Sequence, residues 1–276
     1  MTVHFLTFSG GKPCWRKSQI RLGRQLRKLA PGCKVLEITS KNLAEHVGEN
    51  DPGLSELAMD FPQGHGLWAW KPFALSAALS RIDEDDYLFY LDSGCTANAS
   101  LTATSRFMEY LSHLDKHGVL AFQMGHPEDH WTKSSVIRRY SLGPIQSSSG
   151  QAMATIVGLK NNRYGRDILA SWCMGVAENN FSNVKNPEMG APQLPCFVDH
   201  RHDQSVWSCL LKSRAVYLIP DETYHAPKWS SGGASFPFWA TRKCSGSSLV
   251  VGESLIGRLY LATVRKVSGR FAKSSR

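Results

Sequence analysis

Residues 87–91, Tyr-Leu-Phe-Tyr-Leu, form an unbroken apolar run that Asp85-Asp86 precede and Asp92-Ser-Gly94 follows. A strand with no polar residue on either face has to be covered on both, which is the place of a central strand in a parallel sheet with crossover helices. The start of the chain agrees. Residues 3–8 read as a strand opening into Ser9-Gly-Gly-Lys12, residues 15–30 as an amphipathic helix stopped at Pro31-Gly32, and residues 34–39 as a second strand, after which Ser40 can cap a short helix.

The rest alternates in the same way. Residues 51–66 are loop-like, and Pro72 stands at the start of an Ala/Leu-rich helix. Helices are expected at 101–117, 131–140, 163–178 and 203–212, and strands at 119–123, 153–159 and 215–219, with a serine loop at 147–150. The expectation is one α/β domain over residues 1–241, a mixed and mostly parallel sheet flanked by helices, followed by a basic amphipathic segment over residues 242–276.

Composition narrows the class. With 42% hydrophobic, 10% aromatic and 20% charged residues in a chain of 276, a substantial core is available and disorder is excluded for most of the length. No apolar run reaches the ~18 residues that span a bilayer, and the opening Met1-Thr-Val-His-Phe-Leu-Thr-Phe-Ser-Gly reads poorly as a signal peptide. Seven widely spread cysteines without a C-x-x-C pair suggest reduced thiols in a cytoplasmic protein. The net charge of +9 is uneven. Residues 1–34 hold eight basic and no acidic side chains, residues 242–276 hold eight basic and one acidic, and the stretch between them is net acidic. An acidic centre with no recognised reader motif argues against nucleic acid. Leu255, Ile256, Leu259, Tyr260, Val264, Val267 and Phe271 interleave with Arg258, Arg265, Lys266, Arg270 and Lys273, the make-up of an interfacial helix on an anionic membrane. A basic helix packed on the domain is the plainer reading.

An acid at the exit of a buried strand faces the crevice where open α/β sheets bind ligands. Asp92 could hold a divalent metal on a diphosphate, and Gly94 would let a phosphate or sugar approach the backbone; a strand-end turn is the alternative. No G-x-x-x-x-G-K-[ST], G-x-G-x-x-G or G-x-S-x-G is present, which argues against a P-loop kinase, a dinucleotide oxidoreductase and a serine hydrolase.

Gly64-His-Gly-Leu-Trp-Ala-Trp-Lys-Pro72, followed by a helix and then Tyr-Leu-Asp-Ser-Gly94, resembles bacterial and viral glycosyltransferases of the GT-A fold. So do Leu120-Ala-Phe-Gln123 with His126-Pro127 and Trp131-Thr-Lys133, His200-Arg-His-Asp-Gln-Ser205, and Asp221-Glu-Thr-Tyr-His225, so that the resemblance covers residues 3–229. It implies a nucleoside-diphosphate sugar donor, a UDP-sugar favoured, at the C-terminal edges of the first and fourth strands. The acceptor implied is a glycan or lipid-linked glycan in surface polysaccharide, lipopolysaccharide or glycoprotein synthesis. Asp92 corresponds to a carboxylate of the D-x-D metal motif, but Gly94 replaces its third position. His225, in a shortened form of the H-x-x-G-x-x-K-P-W setting, would be the second ligand of Mn²⁺ or Mg²⁺.

Asp203 and Gln204 match an Asp-Gln pair beside the anomeric carbon of retaining enzymes, towards which the reading leans; in an inverting enzyme Asp203 would be the general base. An N-terminal cap is the plainer role for Asp203. Gly150 and Gln151 would line the sugar pocket, and Thr7, Phe8 and Ser9 would meet the base and ribose. Asp92, Ser93 and Gly94 would carry the diphosphate with Lys71 and Lys228. Trp68 and Trp70 read either as sugar-stacking or as core. Two other classes stay open: a non-catalytic membrane-surface or nucleic-acid binding protein on this fold, and a sugar-1-phosphate nucleotidyltransferase.

Overall fold

The structure is a computed structural model that describes residues 1–47 and 53–246. The amphipathic segment expected at 249–271 lies outside the described residues. In chain order the first elements are β1 (Val3–Ser9), α1 (Pro13–Leu29), β2 (Lys34–Thr39), α2 (Leu43–Val47), α3 (Leu54–Asp60), the short turn α4 (Gly64–Leu67) and α5 (Trp70–Leu79). Then come β3 (Tyr87–Leu91), β4 (Thr96–Ala97), α6 (Leu101–His117), β5 (Val119–Leu120), β6 (Phe122–Pro127), α7 (Glu128–Trp131), α8 (Ser134–Arg139) and α9 (Pro144–Ser148). The last are β7 (Gly150–Ala152), β8 (Ile156–Lys160), α10 (Arg163–Phe181), α11 (His202–Ser213), β9 (Ile219–Pro220), α12 (Trp229–Gly232) and β10 (Phe238–Trp239).

The central sheet has the order β2-β1-β3-β8-β5. β1 runs parallel to β2 and β3, and β8 alone is reversed, antiparallel to both β3 and β5. The fold is therefore mixed α/β with a mostly parallel sheet. Two small sheets, β7-β6-β9 and β10-β4, extend it. β3 is buried at every position, as its apolar run requires.

Side-chain alternation divides the core into two layers. Leu6, Leu88, Tyr90, Val157 and Leu159 face α5, α10 and α11, while Phe5, Tyr87, Phe89, Leu91 and Ile156 face α1 and α6. The second layer carries an aromatic cluster in which Phe89 and Phe107 lie 5.4 Å apart and Phe107 and Phe238 5.8 Å apart. Helix α6 begins where expected because Ser100 Oγ accepts from Ala103 N (3.3 Å), and it ends at Gly118, whose φ of 72° suits a left-handed C-cap. Among the described residues no helix is long and apolar enough to cross a membrane.

Five expectations are corrected. Residues 51–66 are not all loop, because Leu54 and Leu57 bury one face of α3 against the first layer. The stretch 119–123 is split between β5 and β6, which enter different sheets. The helix expected at 131–140 is confined to α8, with α7 ending at Trp131, and α9 takes the first two residues of the serine loop. Finally, the thiols are not all reduced: Cys14 and Cys244 form a disulfide across 230 residues. The partners meet because Ser18 of α1 binds the incoming chain twice, donating to Lys243 O (2.5 Å) and accepting from Ser245 N (2.8 Å). Titrating the denatured, unreduced protein with a thiol reagent should find the five free cysteines of the seven in the chain. Seven reactive thiols would remove the bond.

The entry to the sheet is clamped by Asp86. Its carboxylate accepts from Thr2 N (2.5 Å) and lies 3.0 Å from His4 Nε2, tying β1 to β3. Burial works against the ionised form, but these two contacts outweigh it and hold the carboxyl below its ordinary value. A depressed carboxyl contributes stability above the unfolded-state pKa of ~3.9 and loses it as pH falls through the lower folded-state value. Asp86→Asn should therefore cost about 1–3 kcal/mol at pH 7. Its deficit against the native protein, followed by denaturant unfolding across pH, should shrink in the acid range; a neutral substitution at pH 7 would rule out the clamp.

Candidate active site

Asp92 follows Tyr90 by two residues and so points to the same face of the sheet, towards α5 and α11. Helix α5 is apolar on nearly all sides and buried, and it carries Lys71 near its start. Helix α11 starts with His202 and brings Asp203 to the same point. Lys71 Nζ lies 2.8 Å from Asp203 Oδ2, 3.9 Å from Asp92 Oδ1 and 3.0 Å from Ala154 O, and sits 4.9 Å from the centre of the Tyr90 ring. Tyr90 donates its hydroxyl to Asp92 Oδ1 at 2.6 Å.

The ion pair is hidden and its neighbour is not. The side chains of Lys71 and Asp203 are 3% and 5% exposed, whereas that of Asp92 is 37% exposed. Burial alone would lower the Lys71 pKa, but the charges of Asp203 and Asp92 outweigh it, and the ammonium is held above its ordinary value. Burial raises the Asp203 pKa, and Lys71 offsets only part of that rise. Two carboxyl groups thus flank one ammonium, and the group opens to solvent at Asp92.

Left-handed backbone brackets this pair. His65, Leu67 and Trp68 have φ of 56–58° in the turn before α5, and His202 has φ of 49° immediately before Asp203. Such geometry costs non-glycine residues roughly 1–2 kcal/mol each. Gly64 and Gly66 share the turn, and a Cβ at Gly64 would fall 2.3 Å from the Trp68 ring. Strain of this kind persists where packing fixes it, which is common at functional sites. Here Trp70 donates to Gly64 O (3.0 Å) and Trp68 meets the His202 ring at 5.9 Å. Trp70 is fully buried against Phe8 at 4.1 Å, a core role, and Trp68 is half-buried.

His200 and His202 serve the backbone. His200 Nε2 is 2.8 Å from Asn183 O and His202 Nδ1 is 2.7 Å from Val184 O. Burial, followed by the Lys133 charge, pushes the His200 pKa down to about 3, so its ring is neutral and donates from Nε2.

Behind Asp203 runs a buried polar chain. Gln204 accepts from Ala154 N (3.3 Å) and donates to Gln151 Oε1 (2.9 Å). Gln151 in turn donates to Glu128 Oε1 (3.0 Å) and Thr132 Oγ1 (2.9 Å). Glu128, fully buried, also takes the Ser208 hydroxyl and pairs with Lys212 Nζ at 2.8 Å. Gly150 is required beside Gln151, because a Cβ there would lie 1.7 Å from Met124 O. Glu128 and Lys212 carry no local signal in the sequence, since Glu128 stands between His126-Pro127 and Asp129-His130 like any polar strand exit.

The remaining candidates spread out. Thr7 and Ser9 are tied to α1, through Gln19 Nε2 to Thr7 O and Ser9 Oγ to Gln19 Oε1, both at 2.7 Å. His225 binds Glu222 O through Nε2 (2.8 Å) and stacks on Phe236 at 5.4 Å, and no hydrogen bond or ion pair joins it to Asp92. Lys228 is exposed in the same loop. Ser93 is buried, and a Cβ on Gly94 would lie 3.0 Å from Arg242 Cα and 3.1 Å from the Trp15 ring. That space is filled by protein, so glycine is needed there for packing rather than for the approach of a ligand.

Asp92 and His225 are not joined into a ligand set in this structure: Oδ1 of Asp92 takes the Tyr90 hydroxyl and faces the Lys71 ammonium, a side chain at the third D-x-D position would crowd Arg242 and Trp15, and no hydrogen bond or ion pair links His225 to Asp92. Among the described residues the one three-membered group of possible ligands is Asp129, His130 and Cys196, on and near α7.

Removing one member of the buried Glu128–Lys212 pair leaves the other charge unpaired in the interior. Lys212→Met should therefore cost about 3–5 kcal/mol in denaturant unfolding. A cost under ~1 kcal/mol, the worth of an exposed pair, would show that the charge is solvated.

No protein-family model matches the chain, and no curated protein matches it in sequence. Solved structures with a similar arrangement include mouse xyloside xylosyltransferase 1, at 11% identity and a TM-score of 0.45, covering 87% of this chain and 97% of that one. A glycosyltransferase involved in glycosylation of the major capsid of PBCV-1 matches at 10% identity and a TM-score of 0.40, covering 87% and 92%. The galactosyltransferase LgtC, solved with donor and acceptor sugar analogs, matches at 11% identity and a TM-score of 0.42, covering 84% and 83%. At these values the chemistry rests on the site itself.

Proposed function

We propose that this chain is a GT-A-type glycosyltransferase that moves a sugar from a nucleoside-diphosphate sugar to a glycan acceptor. The observation that carries the reading is the buried Lys71–Asp203 pair beside the open Asp92 carboxylate, at the carboxyl end of β3 and next to that of β1. Open α/β sheets bind ligands at this end. Glycosyl transfer passes through an anomeric carbon with developing positive charge, which fixed carboxylates stabilise.

Each residue has a part in this reading. Lys71, locked between two carboxyl groups, offsets part of the cost of burying Asp203 and is not free to hold phosphate. Asp203 and Asp92 face the sugar. Gln204, with both ends of its amide engaged, fixes the start of α11 rather than reaching outward. A UDP-sugar donor, a surface polysaccharide, lipopolysaccharide or glycoprotein glycan as acceptor, and retention of configuration follow from the resemblance of the Asp203-Gln204 segment and its companion motifs.

A donor-hydrolysis screen across UDP, GDP, CMP and dTDP sugars should find one active nucleotide class. Asp203→Asn and Asp92→Ala should each lower turnover by about 10²–10³-fold, as expected for loss of transition-state charge stabilisation. Thermal unfolding and circular dichroism verify that the variants fold. Full transfer activity in both folded variants would overturn the site assignment.

A further inference from the structure

Residues 241–246 cross the Asp92-Ser-Gly94 turn as a strap. Gly94 O accepts from Thr241 Oγ1 (2.7 Å) and from Lys243 N (2.8 Å), which lays Arg242 directly over the glycine. Arg242 itself has φ of 50° and an exposed side chain. Arg201, the residue before α11, has its guanidinium 4.1 Å from the centre of the Trp131 ring. His126 meets the same indole edge-on at 5.7 Å.

Neither arginine has an ion-pair partner among the described residues. They are nonetheless close. Burial and then the Arg242 charge lower the Arg201 pKa, with Asp199 opposing. Burial and then both arginines lower that of His126, with Asp221 opposing. Underneath, the buried Arg21 donates to Cys95 O (2.7 Å) and Ser93 O (3.4 Å), adding a third guanidinium beneath the turn. Arg21 thus lies beneath the Asp92 turn and Arg242 above it, with Arg201 and His126 on the Trp131 ring and Asp199 and Asp221 as the nearby acids. Guanidiniums without an ion pair suit a diphosphate diester by their planar, paired donors.

We propose that Arg242 and Arg201, with His126 at the rim, hold the donor diphosphate directly and fill the part a divalent cation would otherwise take. The inference rests on the nucleotide-sugar reading above. In the transfer step the bond from the anomeric carbon to the phosphate oxygen breaks and the diphosphate keeps the electron pair. The acceptor oxygen bonds to that carbon, and its proton passes to the departing diphosphate. The guanidiniums stabilise the charge that develops on the leaving group.

The test is calorimetric binding of UDP, GDP, CDP and dTDP to the full chain, in EDTA and in Mn²⁺. The diphosphate that binds should do so with affinities within about threefold in the two buffers. Arg242→Ala and Arg201→Ala should each weaken it about 10- to 100-fold, the equivalent of one charged hydrogen-bonding partner, and leave the matching nucleoside unaffected. Arg242→Gln serves as a second variant if the alanine destabilises the strap. Binding that disappears in EDTA, or that survives both arginine substitutions, overturns the inference and leaves the donor reading standing. No binding in either buffer removes the donor reading, and the inference with it.

Discussion

A buried lysine shared by two acids organises the candidate site of this protein. Lys71 is nearly inaccessible and yet charged, which is tolerable only because Asp203, Asp92 and the Ala154 carbonyl surround its ammonium. Each partner comes from a different element: α5, α11, the end of β3 and the segment before β8. Ion pairing of this kind fixes geometry more than it adds stability. The left-handed turn before α5 and the left-handed His202 follow from it, since both ends of the pair must be delivered to one point from helices that enter along different lines. The Glu128–Lys212 pair repeats the device one layer deeper and sets Gln151 and Gln204 by hydrogen bonds.

Much of the scaffold was legible because periodicity and burial coincide in it. The run 87–91 is apolar at every position, and β3 is buried at every position. Helix α1 alternates Leu22, Leu26 and Leu29 with basic residues, and those leucines enter the core. The reading failed where local pattern is silent. Residues 54–60 carry only a weak apolar face, and their helix is fixed by contacts with the first layer. Residues 119–127 change sheets at Ala121, a break that hydrophobicity does not mark.

The site was legible in part, for a related reason. Asp203 and Lys71 stand out in sequence because a charge adjoins an apolar helix, and the structure places them in contact. Glu128 and Lys212 lie 84 residues apart in numbering and nothing local pairs them; burial alone makes the pair necessary. Gly94 is the instructive position. As a sequence it reads as a lost carboxylate, or as an opening for a ligand. In the structure its missing side chain is replaced by the backbone of Arg242 and the ring of Trp15, from opposite ends of the chain.

That packing also gives the uneven charge a physical sense. Residues 243–245, at the start of the basic C-terminal stretch, are held against the basic helix α1 by the disulfide from Cys14 to Cys244 and the Ser18 hydrogen bonds. Where they meet, Arg21 lies beneath the Asp92 turn and Arg242 above it. The acidic middle of the chain contributes Asp92 and Asp203 to the same place. Bringing like charges into proximity is unfavourable unless opposite charge is near, and here the acids supply only part of it. Arg242 is left exposed at that strand exit without an ion pair among the described residues, and an anionic ligand would supply its partner.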